Sequence, residues 1–255
     1  MKLRVVKNHF SPMCGDWDII NKSEPTHAIF YRTCNFHCEY CNNDYHENNE
    51  YKEYSMDEFV FIVASLMEFG NRFKFTGGEA TNNPQLKEAM QIVKQLGGYI
   101  FLDTNGSRPK IVKELIDDGL IDVLGISLKG ISKEKAVEIT HCKKSELCWD
   151  NAIETIRLGN NSGIRTIVTH VFYNDAGVDE LECFAGLIEP YKNVFLKMNN
   201  LLFDKHHSDG LQPIDKQMFL NTAKEFAAKH ERWKDRIIVV NDESAISHYE
   251  SVIFL

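Results

Sequence analysis

The chain has 255 residues, 43% hydrophobic and 26% charged, enough to close a large core without disulfides and too ordinary for a fibrous or disordered protein. Its 29 lysines and arginines stand against 37 acidic residues, a formal charge of −8, which argues against a protein that coats nucleic acid or an anionic membrane. No apolar run approaches the roughly 18–20 residues of a membrane span, and residues 1–7 lack the apolar core of a secretory signal. The expected location is cytoplasmic, with no membrane or nucleic-acid partner. Disulfides are rare there, so the seven cysteines must serve packing, catalysis or metal binding.

In chain order, residues 28–31 read as a strand that runs into three closely spaced cysteines. Phe59, Ile62, Val63 and Leu66 fall at helical spacing and predict a helix over 56–70. A strand at 73–75 ends at Thr76-Gly77-Gly78-Glu79. Asn83 as N-cap with Pro84 at the first helical position then opens a helix that buries Leu86, Met90 and Val93 and stops near Gly97-Gly98. Strands at 99–102, 123–128, 166–172 and 194–198 alternate with helices at 109–118, 150–158, 179–192 and 215–230. Ile111, Val112 and Leu115 face inward on the first of these helices, and Phe219, Ala223 and Phe226 share one side of the last. Residues 237–240 form a final strand at an edge. Six or seven strands alternating with helices predict an α/β protein with a parallel sheet, one domain over 1–255. Alternation leaves barrel and doubly wound layer open, but ligands gather at the carboxyl ends of parallel strands in both.

Cys34-Asn35-Phe36-His37-Cys38-Glu39-Tyr40-Cys41 has the spacing C-x3-C-x2-C, in the loop after the first strand. Thiolates so placed can converge on one small inorganic group. An electron-transfer [4Fe–4S] cluster takes four cysteines; here no fourth is near, and one iron would stay open to a ligand, as catalysis at a metal requires. Two plainer readings remain: buried, unligated thiols, and a zinc site completed by His37 or His46. Structural zinc sites usually come as two separated pairs, and no second pair is present. Cys142 and Cys148 have no close third partner for a second cluster, and Cys183 reads as packing on an apolar helical face.

Cys34, Cys38 and Cys41, with Tyr40 before the last, resemble the signature of the radical S-adenosylmethionine (SAM) enzymes. The resemblance implies a [4Fe–4S] cluster on these thiolates, its unique iron chelated by the amino and carboxylate groups of SAM. Reductive cleavage of SAM then gives methionine and a 5′-deoxyadenosyl radical that takes a hydrogen atom from the substrate. Gly77-Gly78-Glu79, on its own a helix-entry turn, resembles the motif that holds the SAM amino group. Leu102-Asp103-Thr104-Asn105-Gly106 and Ser127-Leu128-Lys129 resemble strand ends of the pyruvate formate-lyase (glycyl-radical) activating branch, which gives Lys129 the SAM carboxylate. That branch has Asp where this chain has Ser127, which bears on a monovalent cation site shared with Asp103. Its histidine near the sixth strand is replaced within Met198-Asn199-Asn200, and its glycine-rich amino-terminal segment has no counterpart at 11–23. Asn199 and Asn200 are candidates for ribose or substrate, or for turn hydrogen bonds; His206 and His207 read as loop histidines.

The implied fold is a partial (β/α)6 TIM-like barrel with cluster and SAM at its carboxyl-terminal mouth. The expected function is that of an activating-type enzyme taking a hydrogen atom from a polypeptide, with flavodoxin or ferredoxin as electron donor. A radical SAM enzyme of a small molecule, nucleoside-like metabolite or precursor peptide is the second reading, and a noncatalytic iron–sulfur or zinc module the third.

Overall fold

A computed structural model describes residues 2–6, 12–14, 25–41, 51–174, 176–201, 210–241 and 252–254. Four strands come first: β1 (Lys2–Val6), β2 (Pro12–Cys14), β3 (Pro25–Tyr31) and β4 (Tyr51–Ser55). Helix and strand then alternate through α1 (Met56–Met67), β5 (Arg72–Gly77), α2 (Leu86–Gln95), β6 (Tyr99–Thr104), α3 (Pro109–Asp117) and β7 (Val123–Ser127). Next come α4 (Lys133–Thr140), α5 (Asn151–Ser162), β8 (Arg165–Phe172), α6 (Val178–Ile188), β9 (Val194–Asn200), α7 (Lys216–Lys229), β10 (Ile237–Val240) and β11 (Val252–Phe254).

β3, β5, β6, β7, β8, β9 and β10 pair parallel in that order. β1 and β2 lie antiparallel to β3, β4 to β1, and β11 to β10. Among the described residues the two flanks of the sheet do not pair with each other, so it is an open, barrel-like α/β sheet, the expected partial barrel with one further parallel strand. β10 is not an edge: β11 covers it.

Side chains along each strand alternate between two apolar layers. Phe73, Phe75, Ile100, Leu102, Leu124, Ile126, Val168, Leu196 and Met198 face the helices, where they meet Phe59, Val63, Met90, Val112, Ile156, Phe184 and Phe226. On the inner face, Phe101, Val123, Ile167, Ile238 and Val240 form a small plug with Tyr99 and Phe195. The polar inner residues nearer the strands' carboxyl ends are left to form a site.

Local chemistry moved several boundaries. α2 starts at Leu86 because the Asn83 side chain accepts from Gln85 N at 2.8 Å, making a turn, and a 3-10 turn at Ala80–Asn82 precedes it. α4, absent from the sequence reading, is capped by Ser132, whose hydroxyl accepts from Lys135 N at 3.2 Å, and buries only Ala136, Ile139 and Thr140. After α4 ends at Thr140, a π-turn at Glu146–Asp150 leads directly into α5. No helix of the described residues is long and apolar enough to cross a membrane.

Candidate active site at the carboxyl ends of the strands

The cysteine loop leaves β3 and is pinned from behind. His37 N and Glu39 N donate to Thr140 O and Ile139 O at the end of α4, at 3.1 and 3.0 Å, and Cys41 N donates to Cys38 O at 3.0 Å. Phe36 packs with Ala136 and Cys148, and Tyr40 with Ile139, Leu201 and Leu211. These buried aromatics turn Cys34, Cys38 and Cys41 toward a cavity of about 260 Å³. Burial pushes the free thiols of Cys34 and Cys38 up to about 12 and about 11, so at neutral pH it takes a metal to hold them as thiolates. Among the described residues no three Cys, His, Asp or Glu side chains gather as ligands of a single ion. A cubane draws on three thiolates, and three thiols on one loop facing one cavity are the donor set it would use. His37 is exposed and does not line the cavity. His46, His206 and His207 lie outside the described residues, as does the side chain of Cys14.

Gly77, Gly78, Asp103, Asn105, Ser127 and Lys129 line the same cavity with Tyr40 and the three cysteines. The glycines serve a close approach of backbone to backbone. Gly77 has φ +107°, and a Cβ there would lie 2.4 Å from Tyr31 N; one on Gly78 would lie 2.4 Å from Thr33 O. The approach lets Gly78 N donate to Tyr31 O and Glu79 N to Thr33 O, both at 2.7 Å, which ties the end of β5 to the root of the cysteine loop.

Glu79 sits behind the wall, fully buried. Its Oε1 accepts from Thr81 N (3.1 Å), Thr81 Oγ1 (2.5 Å) and Thr104 Oγ1 (2.6 Å), and its Oε2 from Asn105 N (2.6 Å). Burial raises its pKa, against the pull of these bonds. The carboxylate thus welds the ends of β5 and β6, and Oε2 keeps room for a second donor. Asn105 Nδ2 donates to Asn35 Oδ1 at 3.0 Å and approaches Cys34 Sγ at 3.9 Å, a donor beside a ligating sulfur of the kind that tunes a cluster's potential.

Lys129 Nζ donates to Ser127 Oγ at 2.6 Å and lies 5.4 Å over the Tyr40 ring. His170 braces that tripeptide from β8, with Nδ1 3.2 Å from Leu128 O and Nε2 2.7 Å from Glu180 Oε1. Asp103 accepts from Thr76 Oγ1 at 3.0 Å and pairs with Lys74 at 3.2 Å. The carboxylate that the resemblance assigns to a monovalent cation therefore faces an ammonium of this chain. Burial pushes the Asp103 pKa upward, but Lys74 and then Lys197 outweigh it and hold it below the usual value.

Two sequence expectations are corrected. Asn200 does not reach the cavity: its Nδ2 donates to Ile214 O (2.7 Å) and Asn241 Oδ1 (3.1 Å), and its Oδ1 accepts from Ile214 N (2.9 Å). Asn199, its neighbour on the opposite face of β9, lines the cavity instead. Cys183 is exposed, because α6 turns Leu181, Phe184, Ala185 and Ile188 inward. Cys142 and Cys148 flank Phe36 behind the loop, outside the cavity lining. The sequence reading missed Lys74, Thr169 and Lys197, which line the cavity. For Lys74 the signal was the alternation of Arg72, Lys74 and Thr76 with Phe73 and Phe75; Thr169 and Lys197 stand in strands with no such regular alternation.

Such a site could hold an iron–sulfur cluster with a small cofactor beside it, and the comparisons give the family. The profile of the Radical SAM superfamily matches residues 28–185, and the chain belongs to that family. Its cofactors are accordingly a [4Fe–4S] cluster and SAM. It is 28% identical to a putative glycyl-radical enzyme activating enzyme of Methanocaldococcus jannaschii, over 78% of this chain and 79% of that protein. It is 28% identical to a probable GTP 3′,8-cyclase of Saccharolobus islandicus, over 60% of this chain and about half (49%) of the cyclase. The fold matches Streptococcus suis SuiB bound to S-adenosylmethionine with TM-score 0.68 at 13% identity, over 84% of this chain and 49% of that one. It also matches native anSMEcpe bound to AdoMet and a Cp18Cys peptide, with TM-score 0.61 at 18% identity, over 79% of this chain and 58% of that one.

Proposed function

We propose that Cys34, Cys38 and Cys41 hold the cluster, that Gly77, Gly78, Asp103, Asn105, Ser127 and Lys129 surround SAM with Glu79 bracing the wall from behind, and that the enzyme takes a hydrogen atom from a polypeptide, as activating enzymes do. One observation carries the reading: the cysteine loop, the Gly77-Gly78 turn and Lys129 open on one cavity. The likeness to the M. jannaschii relative, which spans most of both chains, supports the activating type. SuiB bound to the precursor peptide SuiA and anSMEcpe bound to a Cp18Cys peptide share this fold, which supports a chain segment as substrate. The proposal takes residues 1–255 as one domain, cytoplasmic, with flavodoxin or ferredoxin supplying the electron.

When bound, the reduced cluster supplies one electron that splits the sulfonium C–S bond of SAM, and the 5′-deoxyadenosyl fragment becomes 5′-deoxyadenosine on taking the substrate's hydrogen atom. The chain's part is to orient and shield. Lys129 offers its charge to the SAM carboxylate inside a partly dry site, where such a pair is stronger than in water. Ser127 and the Tyr40 ring hold the ammonium in place. Lys129→Met is expected to weaken SAM binding about ten-fold or more, read by anaerobic equilibrium dialysis; unchanged affinity would remove Lys129 from the site.

The reaction is tested by incubating reduced, reconstituted protein with SAM and assaying 5′-deoxyadenosine. The polypeptide is tested by adding candidate partner proteins and looking for a glycyl-radical signal by electron paramagnetic resonance. A second reading, a small-molecule or precursor-peptide substrate, is favoured by the charge on the cavity floor. It is supported if deuterium passes from such a candidate into 5′-deoxyadenosine while no partner protein gives a radical.

A further inference from the structure

Behind the cysteine loop and off the cavity lining, two further thiols meet. Cys142 lies just past α4, and Cys148 lies in the π-turn that leads into α5. His141, between α4 and Cys142, has φ +51°, a left-handed conformation uncommon outside glycine. Past this turn the two sulfurs share one acceptor: Lys144 O lies 3.4 Å from Cys142 Sγ and 3.9 Å from Cys148 Sγ. They also act directly on each other.

The two thiols differ in access. Cys148 is 0% exposed, and burial raises its pKa. Cys142 is partly exposed and is followed by exposed Lys143 and Lys144. A reagent from solution therefore meets Cys142 first, with Cys148 behind it as the resolving thiol.

The pair also touches both supports of the cysteine loop. Cys142 N donates to Thr140 Oγ1 at 3.2 Å, and Thr140 O accepts from His37 N at 3.1 Å. Cys148 packs against Phe36, and Cys34 and Cys38 pack on the same small cluster. A disulfide holds its sulfurs about 2.05 Å apart, closer than two thiols bonded to one carbonyl need to be. Closing it moves the chain at Cys142, and with it the anchor at Thr140 and the packing behind Phe36.

We propose that Cys142 and Cys148 form a reversible disulfide by exchange with a small disulfide of the glutathione type, and that the oxidised chain holds its cluster less firmly. The Cys142 thiolate attacks one sulfur of the reagent, giving a mixed disulfide and one reagent thiolate. The Cys148 thiolate then attacks Cys142 Sγ, which closes the internal bond and releases the second reagent thiolate. The protein thiols lose two electrons, the reagent disulfide gains them, and both protons end on the released thiols. The bond concerns these two thiols alone; its effect rests on the reading that Cys34, Cys38 and Cys41 hold the cluster.

The test treats reconstituted holoenzyme, without oxygen, with oxidised glutathione raised until exposed Cys183 is modified. Remaining thiols are blocked with iodoacetamide and tryptic peptides are mapped. Trypsin cuts after Lys135, Lys143, Lys144 and Arg157, so the bond joins peptides 136–143 and 145–157, and a reductant parts them. The joined pair is expected as the main product at these two cysteines. Cys148→Ser should instead leave glutathione on Cys142. Iron loss to a chelator is timed on the same samples. The oxidised enzyme should lose iron several-fold faster than the reduced one, dithiothreitol should restore the slow rate, and Cys142→Ser should not respond to the oxidant. The wild-type comparison stands even if neither variant folds. Unjoined peptides in wild type, a bond from either thiol to Cys34, Cys38 or Cys41 instead, or equal iron loss before and after oxidation overturns the proposal. Reduced protein that takes up no cluster overturns the cluster reading and with it the effect on iron, while the joined peptides still decide whether the bond forms.

Discussion

Protein in which Cys34, Cys38 and Cys41 are all replaced by alanine is expected to hold no iron above background after anaerobic reconstitution and to form no 5′-deoxyadenosine. The fold should survive, because the loop does not depend on its sulfurs. Phe36 and Tyr40 are buried, and the bonds of His37 N and Glu39 N to the end of α4 are backbone to backbone. Cys142 and Cys148 pack behind Phe36, off the cavity wall, and cannot stand in as ligands without moving α4. Far-ultraviolet circular dichroism should therefore match wild type while the iron–sulfur absorbance is gone. SAM cleavage by the triple variant would place the chemistry elsewhere in the chain.

Gly77→Ala is expected to destabilise the apoprotein by about 2–4 kcal/mol, read as a lowered thermal unfolding midpoint. Strain and collision add at this position. The backbone sits at φ +107°, where L side chains rarely go, and the new Cβ would meet Tyr31 N at 2.4 Å and Tyr31 O at 2.5 Å. Both are backbone atoms of the neighbouring strand and cannot rotate away. To relieve the contact, β5 must part from β3, which breaks the 2.7 Å bond from Gly78 N to Tyr31 O and shifts the root of the cysteine loop. Cluster content should fall with stability. Gly186→Ala is the control: it lies in α6, where a Cβ meets nothing within 4 Å, and should be neutral or gain up to roughly 1 kcal/mol. Equal losses in the two variants would show that the close approach at Gly77 is not what holds the turn.

What the sequence disclosed follows the range of the forces involved. The cysteine spacing is local, and so is the period of Phe73 and Phe75 against Lys74 and Thr76; both could be read directly, and the parallel order of the central strands followed. The placing of Asn200 in the site failed at a strand end. Lys197 and Asn199 share the inner face of β9 while Met198 and Asn200 turn outward, and the two-residue period would have separated the two candidates, keeping Asn199 and leaving Asn200 to turn hydrogen bonds. Cys183 failed for the matching reason in a helix, where the neighbouring Leu181, Phe184, Ala185 and Ile188 take the inward stripe. α4 was illegible because eight residues with three buried positions give too weak a period. The antiparallel additions β1, β2, β4 and β11 depend on pairings distant in sequence. The double use of Gly77 and Gly78 was half legible. Glycine announced a close approach, but that the partner is the Tyr31–Thr33 backbone emerges only from the fold.

The central claim is that three sulfurs from one loop leave an iron for SAM. Electron–nuclear double resonance on the reduced, reconstituted protein, with SAM labelled with 15N at its amino group and 17O at its carboxylate, addresses it directly. The account predicts hyperfine coupling from both labels to the cluster, reduced in Lys129→Met at a SAM concentration that only just saturates wild type. A cluster that shows neither coupling and keeps the same spectrum with or without SAM, as one with a fourth protein ligand would, contradicts it.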